Sequence, residues 1–70
     1  MKSIPDRLRK ARREKDYSQV FIAQELGISQ KYLSDIENDK SPIKLSLLID
    51  LCRVLALDLA IHIEEETYRF

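Results

Sequence analysis

The chain has 70 residues, with 12 Lys/Arg balancing 12 Asp/Glu and only one cysteine, Cys52. One small domain is all this length builds, and such a core is marginal unless disulfides, a metal or oligomerisation supplement it. A lone cysteine excludes an internal disulfide, and one His with one Cys does not make a zinc set, so no metal or other cofactor is expected and oligomerisation is left.

The run "SIPDRLRKARREKD" reads as a first helix. Ser3 is its N-cap, Pro5 suits the first turn, and Asp6 favours the positive helix end. Ile4, Leu8 and Ala11 recur at helical spacing as the inward stripe. The other face is almost entirely basic. Residues 1–15 hold Lys2, Arg7, Arg9, Lys10, Arg12, Arg13 and Lys15 against Asp6 and Glu14. The neutral total therefore hides a basic end, while Asp58, Glu64, Glu65 and Glu66 make the other end acidic. Arg9 and Arg13 read as a solvated face.

"YSQVFIAQEL" reads as a second helix capped by Ser18, with Ile22, Ala23 and Leu26 facing the core. Gly27, the only glycine, ends it by supplying a left-handed backbone. "SQKYLSDIEN" follows at once, with Ser29 as N-cap, Leu33 and Ile36 buried, and Ile28 plugging the turn. "NDKSP" is a loop punctuated by Pro42.

A fourth helix starts between Ser41 and Leu45 and runs to Ala56. Leu45, Leu48, Cys52 and Leu55 form one apolar stripe, and Leu47, Leu51 and Val54 a second. A helix apolar on two sides is buried on two sides. The long apolar stretch here carries Asp50, Arg53 and Asp58 and changes period midway, so a membrane span is rejected. With no export signal and a free thiol, the cytoplasm is expected. "LDLAIHIEE", residues 57–65, then alternates apolar and polar with a strand period, and residues 66–70 read as a loose tail.

Helix, three-residue turn, helix is the geometry that presents a recognition helix to the DNA major groove. Gln30 suits adenine, Lys31 suits guanine O6 and N7, and the basic first helix adds attraction for phosphate. No acid/base pair with a pocket, phosphate-cradling loop or base-activated nucleophile is visible, so an enzyme is not expected.

Residues from about Leu8 to Leu55, above all "SQVFIAQELGISQKYLSDIEN", resemble the lambda-repressor-like (Cro/C1, XRE) helix-turn-helix family. The resemblance implies a mainly α four-helix DNA-binding domain over residues 1–56. It implies DNA contacts from Gln19, Ser29, Gln30, Lys31, Tyr32, Ser34, Asp35 and Asn38, and Lys40 lies where it could hold the backbone. It also implies a structural salt bridge between Arg12 and Glu37. Phe21 departs from the pattern, standing where a polar residue is usual.

The fourth helix with its following strand resembles the end of HipB-like antitoxins. That implies a homodimer in which the C-terminal β-strand pairs with its twin over Leu47, Leu51, Val54, Leu57, Leu59, Ile61 and Ile63. The implied function is a sequence-specific repressor acting on an inverted-repeat operator, as the autoregulating antitoxin of a HipA-like kinase toxin. A standalone phage-type or restriction-modification controller, or a toxin-holding module with secondary DNA binding, remains the alternative.

Overall fold

In the computed structural model the first three helices each open on a serine. Ser3, Ser18 and Ser29 accept the backbone N–H of the residue three positions on, at 3.2, 3.0 and 3.0 Å. Each serine thereby satisfies a donor that a helix start leaves without a partner. The structure describes residues 3–70, so Lys2, one of the basic residues counted above, lies outside it. The elements are α1 (Ile4–Glu14), α2 (Gln19–Leu26), α3 (Gln30–Glu37), α4 (Leu45–Val54), β1 (Ala60–Ile63) and β2 (Glu66–Arg69). The N-cap of α4 is Lys44, whose side chain makes no capping bond. The start of the helix was ambiguous in the sequence for that reason.

All four helices close in the same way. A residue with left-handed backbone reaches back three positions with its N–H, and the next residue reaches back five. The pairs are Asp16 with Tyr17, Gly27 with Ile28, Asp39 with Lys40, and Ala56 with Leu57. This double bond satisfies carbonyls at a helix end. Only one of the four positions is a glycine. A Cβ built on Gly27 would meet nothing within 4 Å, so its φ of 67° and not its space calls for glycine.

α1 packs on α3, and α2 packs on both α3 and α4. Leu8, Ala11, Ile22, Ala23, Leu33, Leu51, Cys52 and Leu55 fill the centre. Tyr17, Ile28 and Leu57, each the second residue of a helix closure, pack against this cluster. α2 and α3 are eight residues each, too short to be stable alone, so this packing sustains them.

Several expectations change. Ile4 is 55% exposed and not part of the buried stripe, because at the helix start it lines an open groove with Leu48 and Cys52 of α4 and does not fill it. Leu45, at the first turn of α4, is likewise exposed at 49%. Leu51, placed on the stripe awaiting a second copy, is 2% exposed and belongs to the chain's own core. The core face of α4 thus takes residues from both expected stripes.

The largest change is at the C-terminal end. The single strand expected over 57–65 is the shorter β1, and the expected tail contains β2. The two form an antiparallel hairpin with Ala60 opposite Arg69, Ile61 opposite Tyr68, His62 opposite Thr67 and Ile63 opposite Glu66. Phe70 N–H extends the ladder to the Leu59 carbonyl at 3.0 Å. Glu64 turns the chain with a φ of 55°. Leu57 to Leu59 are not in strand, because Leu57 is held by the closure of α4 and Leu59 packs on the core.

Candidate nucleic-acid interface

The candidate interface is built on α3 and is held by one buried carboxylate. Glu37 accepts Arg12 Nε on Oε2 at 2.7 Å and Arg12 Nη2 on Oε1 at 2.9 Å. Gln19 Nε2 also donates to Glu37 Oε1, at 3.1 Å. The remaining Arg12 terminal nitrogen donates to the Tyr17 carbonyl at 2.8 Å. Three helices and the loop after α1 therefore meet on one ion pair. Both charges are nearly out of water, and every buried side-chain polar atom among the described residues has a partner. Such a pair adds little net stability, because desolvation offsets the attraction, but it fixes the orientation of what it joins.

Gln19 reaches Glu37 from the first residue of α2. Its amide oxygen is left to accept, at the start of a helix whose cap, Ser18, takes the Phe21 N–H. The same arrangement recurs at α3, where Ser29 caps the helix through Oγ and Gln30 and Lys31 follow, all three exposed. Helix N-termini carry free N–H groups and positive dipole ends, which favour phosphate.

Along the outer face of α3, Lys31 Nζ lies 3.1 Å from Asp35 Oδ2 one turn later. The Asp35 carboxylate would repel a nearby phosphate if it stood alone. It is paired, and its backbone carbonyl also closes the helix by accepting from Lys40 and Ser41. Tyr32 is partly covered, like Ser34 and Asp35. Asn38 Nδ2 donates to Ser34 Oγ at 3.3 Å. Asn38 and Lys40 are exposed just past the end of the helix. The expected DNA-contacting residues thus lie on the starts of α2 and α3, the outer face of α3 and its C-terminal end.

Arg9 was read as a solvated charge, and the structure gives it partners. Its Nη1 donates to the Glu37 carbonyl at 3.3 Å and to Asn38 Oδ1 at 3.4 Å, while Nη2 meets Asp6 Oδ1 at 2.8 Å. The i, i+3 spacing to Asp6 was visible in the sequence, but the contact to α3 needs the fold. Lys10 and Arg13 remain exposed and line a shallow depression with Arg9, Asp6 and Glu14. Phe21, the departure in α2, stacks at a tilt on Tyr17 with ring centroids 5.0 Å apart. Burial pushes the Cys52 thiol above its ordinary 9.0, so it stays protonated and acts as a core residue. Among the described residues no helix is long and apolar enough to cross a membrane.

The sequence model of the helix-turn-helix family matches residues 8–61. The chain is similar to the HTH-type transcriptional regulator RamB of Mycobacterium tuberculosis, 32% identical over 66 residues. That alignment covers 94% of this chain and 14% of RamB. It is also similar to the immunity repressor protein of Bacillus phage phi105, 31% identical over 65 residues, covering 93% of this chain and 45% of that protein. The chain therefore spans less than half the length of these curated relatives.

Proposed function

The chain belongs to the helix-turn-helix family of the Cro/C1 type, and on that premise we propose that it is a sequence-specific DNA-binding transcriptional repressor. The observation that carries the reading is the outer face of α3. Polar side chains able to read bases project from a helix whose buried side is bolted by Glu37 to both α1 and α2. Rigid presentation matters, because base contacts need side chains placed to within a fraction of an ångström. Gln30 and Lys31 are the base readers, with Ser34 beside them. Gln19, Ser29 and Asn38 meet the backbone, and Lys40 adds charge there. Tyr32 covers the turn at the groove edge, and Asp35 either keeps Lys31 in line or accepts from a cytosine amino group.

The repressor acts as a homodimer on an inverted repeat. β2 pairs β1 within the chain, so a second copy is not required to pair a lone strand. Among the described residues the outer edge of β1 is nevertheless free and carries no formal charge, and uncharged edges are those that accept another strand. Leu59, Ile61, Ile63, Tyr68 and Phe70 share one face of the hairpin by its register, with Glu66 opposite Ile63 at its end accepting from the Tyr68 hydroxyl, and Ile63, Tyr68 and Phe70 are exposed. A two-stranded hairpin is marginal on its own, and a second hairpin edge to edge would complete a four-stranded sheet. Leu47 and Val54 on α4 are half-buried against the chain's own core, which leaves part of each for a second copy to cover.

A phage-type regulator is favoured by the immunity repressor among the relatives. The antitoxin reading, with a HipA-like kinase as partner in the cytoplasm, draws less support from a hairpin than it did from an unpaired strand. A neighbouring gene for such a kinase would restore it.

Fluorescence anisotropy with duplexes from upstream of the gene tests the function. Binding that saturates and weakens steeply with salt is expected, because phosphate contacts release counterions. Absent or salt-insensitive binding would exclude it.

A further inference from the structure

Arg9 holds a chain of contacts that ends at the proposed DNA-facing surface. Asp6 anchors its Nη2, and its Nη1 divides between the Glu37 carbonyl and Asn38 Oδ1. Arginine has only donors, so the Asn38 side chain must turn its oxygen toward Arg9. Its nitrogen then faces Ser34, which takes one of the two amide hydrogens at 3.3 Å. The second hydrogen is left over on an exposed residue. The Glu37 carbonyl, at the C-terminal end of α3, shares Arg9 Nη1 with Asn38 Oδ1 and so helps hold the guanidinium against Asn38.

We propose that Arg9 is a positioning residue for DNA binding: it sets the Asn38 amide so that the free Nδ2 hydrogen donates to a backbone phosphate oxygen. The proposal rests on the DNA-binding reading above. Arg9 does not touch DNA itself. Its hydrogen bonds go to Asp6 on α1 and to Glu37 and Asn38 at the end of α3, and its side chain is the less exposed partner of its pair with Asp6. The role differs from that of Arg12, which joins the helices and leaves Asn38 alone.

The test is a double-mutant cycle on a fluorescein-labelled mixed-sequence duplex, using the full chain with Arg9→Gln, Asn38→Ala and both. Arg9→Gln is expected to weaken binding about three- to ten-fold, the worth of one hydrogen bond. In the Asn38→Ala background it is expected to cost almost nothing further, because the group it positions is gone. The salt dependence of affinity should keep its slope, since a neutral amide displaces no counterion. If the losses simply add, or the slope drops by about one counterion as for a phosphate-bound cation, Arg9 is itself a contact and the proposal fails. Should Arg9→Gln fail to fold by circular dichroism, Arg9→Met, which also removes the charge and the donors, takes its place in the same cycle with the same two outcomes. NMR of the DNA-free protein gives an independent reading. The Asn38 side-chain amide resonances should move on Arg9→Gln, and an unmoved pair would overturn the positioning role. If the unaltered protein itself does not bind the duplex, the DNA-binding reading falls first, and the NMR result still decides whether Arg9 orients Asn38.

Discussion

Arg12 and Glu37, 25 positions apart in the chain, meet as a two-pronged ion pair with donor–acceptor distances of 2.7 and 2.9 Å. A third donor, Gln19, shares the same carboxylate. The relationship couples the helix that should read DNA to the two helices that carry it.

Removing only one partner leaves a buried charge without compensation. Glu37→Ala should therefore cost roughly 3–5 kcal/mol in urea denaturation. The double replacement Arg12→Met with Glu37→Leu should recover most of that loss, since a hydrophobic pair of similar volume avoids desolvation. The recovered protein should still bind DNA more weakly, because Gln19 has lost its acceptor. Full affinity in the double variant would show that the pair does not orient the interface.

The helix closures predict opposite outcomes at two positions. Gly27→Ala should destabilise by about 1 kcal/mol through its positive φ alone, as there is room for the methyl group. Ala56 holds the equivalent position at the end of α4 with a φ of 54°. Ala56→Gly should gain on the order of 0.5 kcal/mol, relief of strain outweighing the looser unfolded chain. Thermal midpoints moving in the same direction for both would contradict the shared motif.

Cys52 supplies a pH dependence. Its thiol pKa is raised by burial, so the folded state holds the proton more tightly than the unfolded one. The associated stability is complete below the unfolded pKa of 9.0 and is lost as pH rises through the folded value. Urea midpoints should fall on the alkaline side more steeply for the natural chain than for Cys52→Ala. At neutral pH the thiol should react with Ellman's reagent only as fast as the protein opens.

Ile63 separates dimerisation from folding. It is 59% exposed, so Ile63→Lys should leave the thermal midpoint of the single chain nearly unchanged. It should convert dimer to monomer by light scattering, because a lysine there guards the strand edge and its apolar face. An unchanged mass would remove the hairpin from the dimer interface.

Most of the helical part was legible in the sequence. Serine caps, the Gly27 stop and apolar spacing marked α1 to α3, and the resemblance paired Arg12 with Glu37. Three things were hidden. Asp16, Asp39 and Ala56 adopt left-handed backbone without being glycine, so three of four helix closures carried no signal. β2 is short and polar, and the turn before it uses Glu64 where a glycine or asparagine would have announced a hairpin. Arg9 sits among six other Lys and Arg residues, and only the approach of α3 separates it from a solvated charge. Leu51 was misplaced because two apolar stripes on a helix do not say which belongs to the chain's own core.

Selection of binding sites from a random duplex pool tests the central claim most directly. The natural chain should enrich an inverted repeat whose half-site centres lie about one helical turn apart, roughly 34 Å. Lys31→Ala should enrich the same repeat with one base per half-site relaxed, at a cost of about 1–3 kcal/mol. A pool that stays unenriched with the natural chain, or a Lys31→Ala loss spread evenly over all sequences, would contradict α3 as the reader of bases.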